Sequence, residues 1–156
     1  MKRSALLVAL LAVLACGSTI GRIPEPPGGA VAVSGEIALS FHERAEAFYE
    51  RLILRRFNTL ETFNDPLLRG HFRSEDLFFD YYADLAAHLD EAHFEKSRPT
   101  SFEVQEFVFE DSARVVVQVR FDGEDDRPLR PGSITLVRRD FWERSGGSWW
   151  INPRQL

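Results

Sequence analysis

Glu106 is the residue most out of place in this sequence, and so the first candidate for chemistry. It stands in Phe102-Glu-Val-Gln-Glu-Phe-Val-Phe-Glu110, a run of β-branched and aromatic side chains that reads as a strand. The next run, Ala113-Arg-Val-Val-Val-Gln-Val-Arg-Phe121, puts Val115, Val117, Val119 and Phe121 on one face by period two. A short turn at Asp111-Ser112 sets Glu110 opposite Ala113. Val108 then faces Val115, Val104 faces Val119 and Phe102 faces Phe121, so that apolar meets apolar. The same register sets Glu106 opposite Val117, a carboxylate on an apolar face. A third strand, Ser133 to Trp142, brings Arg138 or Arg139 opposite Val117, roughly 10 Å from Glu106 across two strand spacings. Burial raises the pKa of such a carboxylate, and a neighbouring arginine holds it ionised. Either state suits ligand binding or proton transfer. The plainer alternative is that Glu106 sits at a strand end or a bulge and reaches water.

Three further groups carry candidate chemistry, each beside a plainer role. Tyr81 and Tyr82 can present hydroxyls to a pocket or serve as helix–sheet core with satisfied hydroxyls. Asp84 and His88 are four apart on one helical face, with Asp80 a turn earlier, which suits a carboxylate–imidazole pair or a solvated face. No third metal ligand accompanies them, since His93 lies five beyond His88 and off that face. His42 and His71 read as surface or packing residues. Trp149 and Trp150, adjacent on a strand, point to opposite faces, so of Trp142, Trp149 and Trp150 one is expected at an exposed face or pocket rim. The candidate ligand-binding set is therefore Glu106, Arg138, Tyr81, Tyr82 and Trp142, with no metal and no cofactor. Phosphate-loop, zinc and Ser/His/Asp patterns are absent from the sequence.

The elements that must position these residues follow from the patterning. Ser40 reads as the N-cap of a long helix whose stripe is Phe41, Ala45, Phe48, Tyr49, Leu52, Ile53, Leu60 and Phe63. Asn64-Asp65-Pro66 ends it and opens a short second helix, with Asp65 as cap and Pro66 at its first position. A third helix, about Glu75 to Lys96, carries Leu77, Phe78, Tyr81, Tyr82, Leu85, Leu89 and Ala92 on one side. After Pro99 come the two strands above, the loop Gly123 to Gly132, the third strand, the turn Ser145-Gly146-Gly147 and a last strand, Ser148 to Asn152. Helices followed by an antiparallel meander make the fold α+β, with helices covering one face of the sheet.

The chain has 156 residues, one cysteine and a formal net charge of −5. Met1-Lys2-Arg3 is a basic start, and Ala5 to Ala15 is an apolar run of signal-peptide length. Val13-Leu14-Ala15-Cys16 resembles the lipobox of bacterial lipoproteins, in which the cysteine is lipidated and becomes the mature N-terminus. The alternative is an ordinary secretory signal with a chance cysteine. Gly17 in place of Asp resembles the outer-membrane sorting pattern. Residues 1–15 are thus expected to be a lipoprotein signal peptide, 16–35 a Pro/Gly-rich flexible tether and 36–156 the folded domain. Loss of Lys2 and Arg3 takes the net charge from −5 to about −7, which argues against nucleic acid as a partner. The expected location is the cell envelope, on the outer membrane facing the periplasm.

With these elements in place, the chain resembles the nuclear transport factor 2-like superfamily over about residues 38–153. The residues that carry the resemblance are the aromatic-studded helix Phe41 to Phe63, the Val-rich strand after Asp111-Ser112, and the closing Asp140-Phe-Trp-Glu-Arg-Ser-Gly-Gly-Ser-Trp-Trp-Ile. The long third helix and the Arg127-Pro-Leu-Arg-Pro-Gly132 loop depart from the smallest members. The resemblance implies a curved sheet wrapped around helices into a cone, often with an internal pocket. Members include isomerases, dehydratases and cyclases as well as binding and assembly domains, so fold does not give function. The expected function is a non-catalytic, lipid-anchored module that holds a small apolar ligand, a peptide or a partner envelope protein. The alternative is a small isomerase- or hydrolase-like enzyme with Glu106 as acid/base and an arginine positioning an anionic substrate.

Overall fold

The computed structural model describes residues 31–153. Helices come first: α1 (Gly35–Ile53), α2 (Leu60–Phe63), α3 (Pro66–Arg69) and α4 (Glu75–Glu91), then a 3-10 turn at Glu95–Ser97. Four strands follow, β1 (Ser101–Asp111), β2 (Arg114–Glu124), β3 (Ser133–Ser145) and β4 (Ser148–Ile151). They form one antiparallel sheet in the order β1-β2-β3-β4. The α+β expectation holds. No described helix is long and apolar enough to cross a membrane. The signal segment, Cys16 and most of the tether lie outside the described residues.

Local chemistry explains the helix boundaries. Ser34, not Ser40, caps α1, its hydroxyl accepting from the Ile37 amide. Ser40 lies within α1, where its hydroxyl donates to the Ile37 carbonyl and accepts from the Trp149 indole at 3.2 Å. The long helix expected to reach Phe63 stops at Ile53. Asn58 takes a positive φ of 63°, a conformation asparagine tolerates better than most residues. Thr59 then caps α2 afresh. Asp65 and Pro66 start α3 as the sequence predicts, and Ser74 caps α4.

The apolar stripes of α1 and α4 bury against the inner face of the sheet. Phe41, Phe48, Tyr49 and Leu52 of α1 and Phe78, Tyr81, Leu85 and Leu89 of α4 share one core with Val115, Val117, Val119 and Phe121 of β2. Each large side chain so buried contributes about 1.5–3 kcal/mol. The turn between β3 and β4 is Gly146-Gly147, both with positive φ (59° and 82°), as a tight hairpin of matching twist requires. The strand β4 pairs only with Trp142 to Ser145, so β3 is the sheet edge before that point.

Gly123 admits Phe94 onto the sheet. A Cβ built there would lie 2.4 Å from one ring carbon of Phe94 and 2.7 Å from another. Phe94 is itself fully buried. Gly123→Ala is expected to lower unfolding stability by about 1–3 kcal/mol through overpacking, measured by urea denaturation. Unchanged stability would mean that the ring moves freely.

Candidate functional site

The inner face is organised by a carboxylate that the sequence reading did not single out. Asp140 of β3 lies opposite Val117 and is 1% exposed. Its Oδ2 accepts the hydroxyl of Tyr49 (2.8 Å, from α1) and that of Tyr81 (3.0 Å, from α4), and its Oδ1 accepts Arg138 Nε at 2.8 Å. Arg138, two residues earlier and so on the same face of β3, is 8% exposed. Its guanidinium carbon sits 4.6 Å from the centre of the Tyr81 ring, a cation–π placement that partly replaces lost water. Arg138 Nη1 lies 3.2 Å from Asp84 Oδ2 of α4, an ion pair outside hydrogen-bond alignment. Asp84 in turn meets His88 Nδ1 at 3.4 Å. Two carboxylates, an arginine and two phenols thus form one chain from the core to the surface of α4.

Its electrostatics are those of a structural network. Burial pushes the hydroxyls of Tyr49 and Tyr81 well above the usual phenol range, and the charge of Asp140 adds to this. Both stay protonated and can only donate to Asp140. Burial works against the charge of Arg138, but Asp140, Tyr81 and Asp84 outweigh it and raise its pKa. The two phenols and Arg138 are each held in one protonation state, which suits positioning better than proton transfer.

The structure moves Glu106 off this face. Val104 pairs with Val119 and Phe102 with Phe121, as the sequence predicts, but a bulge at Gln105 then shifts the register. Phe107 faces Val117, Phe109 faces Val115, and Glu106 pairs with Gln118 on the opposite face. The extra residue spares the core a carboxylate. Glu106 is exposed and lines an outer depression of about 230 Å³ with Val108, Val116, Gln118 and Arg139. Neither arginine faces Val117. Arg138 lies opposite Val119 on the inner face, and Arg139 opposite Gln118 on the outer.

The remaining candidates separate. Tyr81 joins the inner network. Tyr82 does not, because its hydroxyl accepts the Thr59 amide (3.1 Å) and donates to the Thr59 carbonyl (3.3 Å), pinning the start of α2. Its ring lines an open depression of about 440 Å³ with Ala83, Ala86 and Ala87. Trp142 is core, packed against Phe41, Phe48 and Tyr49, rather than a pocket residue. Trp149 is buried and Trp150 half-buried beneath Arg44, so the adjacent pair does diverge.

One further feature faces outward, a groove of about 420 Å³ between α1 and α3. Its walls include Arg44, Ala47, Arg51 and Leu54 on one side and Leu67 and His71 on the other. Leu54 is 62% exposed and Leu67 59%. His71 is 6% exposed, with Nδ1 2.9 Å from the Leu67 carbonyl. Burial and the nearby Arg44 charge lower its pKa to about 4, so the ring is neutral and Nδ1 is the donor. The exposed Leu54 and Leu67 were legible in the sequence only as leucines outside the predicted stripe.

No protein-family model matches the chain, no curated protein is similar to it, and no solved structure matches its fold.

Removing the Asp140 charge should leave Arg138 buried against Tyr81 with one fewer carboxylate. Asp140→Asn is expected to cost about 3–5 kcal/mol, and Tyr49→Phe about 1.5–3 kcal/mol, in denaturant unfolding. A loss below 1 kcal/mol for Asp140→Asn would show that the network is not a stabilising centre. His71 predicts a separate pH effect. Its folded pKa lies below its unfolded value of about 6.5, so the unfolded chain binds the proton more tightly. Stability should fall as pH drops from about 6.5 towards 4, by at most about 3 kcal/mol from this residue. In His71→Asn, which keeps a donor for the Leu67 carbonyl, that part of the decline should vanish. Parallel pH curves for the two proteins would exclude it.

Proposed function

We propose that the chain is a lipid-anchored binding or assembly module of the bacterial periplasm. In this reading Cys16 carries the lipid on the outer membrane, and the helix-and-sheet domain is of the nuclear transport factor 2-like kind. Its work is to hold a small apolar ligand, a peptide or a partner envelope protein, without catalysis. The observation that supports this best is the division of the polar side chains. On the inner face Asp140, Arg138, Tyr81 and Asp84 are spent on one another. Among the exposed apolar side chains, Leu54 and Leu67 line one outward-facing groove beside an arginine. A contiguous apolar patch rimmed by polar groups is the mark of a contact site. The enzymatic reading has less behind it, since Glu106 is exposed on the outer face, in a depression it shares with Arg139.

Expression of Cys16→Ala in a bacterial host tests the reading in one preparation. The wild-type chain should sediment with membranes and the variant should appear in the soluble periplasmic fraction. Native mass spectrometry of that variant should then show an added mass that is lost on denaturation, or a protein partner. A variant that stays in the membrane fraction would overturn the anchor, and a bare chain with no associated protein would overturn the binding module.

A further inference from the structure

We infer that the α1–α3 groove is a binding site for an aliphatic carboxylate, with the acid group at Arg44 and the hydrocarbon chain running towards Leu54. The inference rests on the binding reading above and names its ligand class.

The groove is built to hold a shape. Arg44, Ala47, Arg51 and Leu54 follow one another at spacings of three and four on α1, so they form one stripe. Both ends are stapled across to neighbouring elements. Arg44 donates through Nη2 to the Gly70 carbonyl and through Nε to the Trp149 carbonyl at 3.4 Å. Arg51 holds Asp65 with Nε at 2.9 Å and Nη2 at 2.8 Å. A volume of about 420 Å³ falls within the span of small-ligand sites.

Charge selects the ligand's head. The charge of Arg51 is met by the buried carboxylate of Asp65. Arg44 bonds two neutral carbonyls and faces the neutral ring of His71, and no carboxylate pairs with it among the described ion pairs. A half-buried guanidinium without a counter-charge is a site for an anion, and its planar fork suits a carboxylate. Glu50, the acid that lines the groove, lies six residues along α1 from Arg44 and so about 9 Å away along the axis. It disfavours an anionic head at the Leu54 end and thereby sets the direction of binding.

The walls select the tail. Ala47, Leu54, Pro66 and Leu67 are all aliphatic and offer an apolar track, with the one ring of the lining, His71, beside Arg44 at the head end. Along α1 the run from Arg44 to Leu54 is about 15 Å, which suits a chain of roughly ten carbons.

Isothermal titration of the full Cys16→Ala chain with decanoate below its micelle concentration tests the inference. One saturable site is expected, with decanol, which lacks the charge, at least tenfold weaker. Ala47→Phe, which fills the exposed floor of the groove, should abolish binding while leaving the circular dichroism unchanged. Arg44→Gln should weaken binding at least tenfold, but Arg44 also staples the fold, so Ala47→Phe is the deciding variant. No saturable heat, equal affinity for decanol, or undiminished binding by Ala47→Phe would each overturn the inference. If decanoate is silent while native spectra still show an added mass or a partner, the binding module stands and the carboxylate site falls. If both are silent, both fall.

Discussion

A carboxylate with no water must find all its partners inside the protein, and Asp140 is that carboxylate here. Burying its charge unpaired would cost more than the fold has to spend. Its partners come from three elements: Tyr49 on α1, Tyr81 on α4 and Arg138 on β3 itself. Hydrogen bonds of 2.8 to 3.0 Å tolerate little displacement. Once Asp140 is buried, the two long helices have one position over the sheet that satisfies it. The apolar core alone, made of interchangeable aromatic and aliphatic surfaces, would accept several. Arg138 then extends the constraint to Asp84, so the outer turns of α4 are tied to the same centre.

The bulge at Gln105 serves the same economy. Without it, Glu106 would face Val117 beside the aromatic core. With it, the inner face of β1 reads Phe102, Val104, Phe107 and Phe109, all apolar, with Phe107 left partly open to solvent. That pattern was present in the sequence. Strict alternation from Phe102 gives Glu106 and Val108 inward, whereas one inserted residue gives Phe107 and Phe109, the larger apolar pair. Period-two reading assumes a regular strand, and nothing local marks Gln105 as the extra residue, because glutamine and glutamate are both at home on a solvated face. The first two pairs, Phe102 with Phe121 and Val104 with Val119, lie before the bulge and were legible for that reason.

Legibility elsewhere followed the range of the interaction. The cap Asp65 and the divergence of Trp149 from Trp150 depend on a few neighbouring residues, and they stood as read. The Asp84–His88 pair, four apart on one helix, was visible as well. Asp140 was not, since its partners Tyr49 and Tyr81 are 91 and 59 residues away. On its own strand it reads as one more polar residue after two arginines. Ser40 reads as the cap, but α1 starts earlier, at Ser34, because Ile37 and Ala38 also pack against the core. Ser40 was then free to hold the Trp149 indole.

The same helix that answers Asp140 on one side presents the groove on the other, and the arginines along that groove differ in the partners that take their charge. Arg51 and Arg55 converge on Asp65, the buried cap of α3. That carboxylate is held below the usual range against the pull of desolvation, chiefly by its bond from Arg51 and by the Leu68 and Leu67 amides. Their charges are therefore consumed in fastening α3 to α1. Arg44 fastens the same two layers through carbonyl oxygens, which take hydrogen bonds but leave the charge uncompensated. A staple made for stability alone would gain from a carboxylate at that end, as the Asp65 end shows. The apolar track from Ala47 to Leu54 begins at the one staple whose charge remains free to meet a ligand.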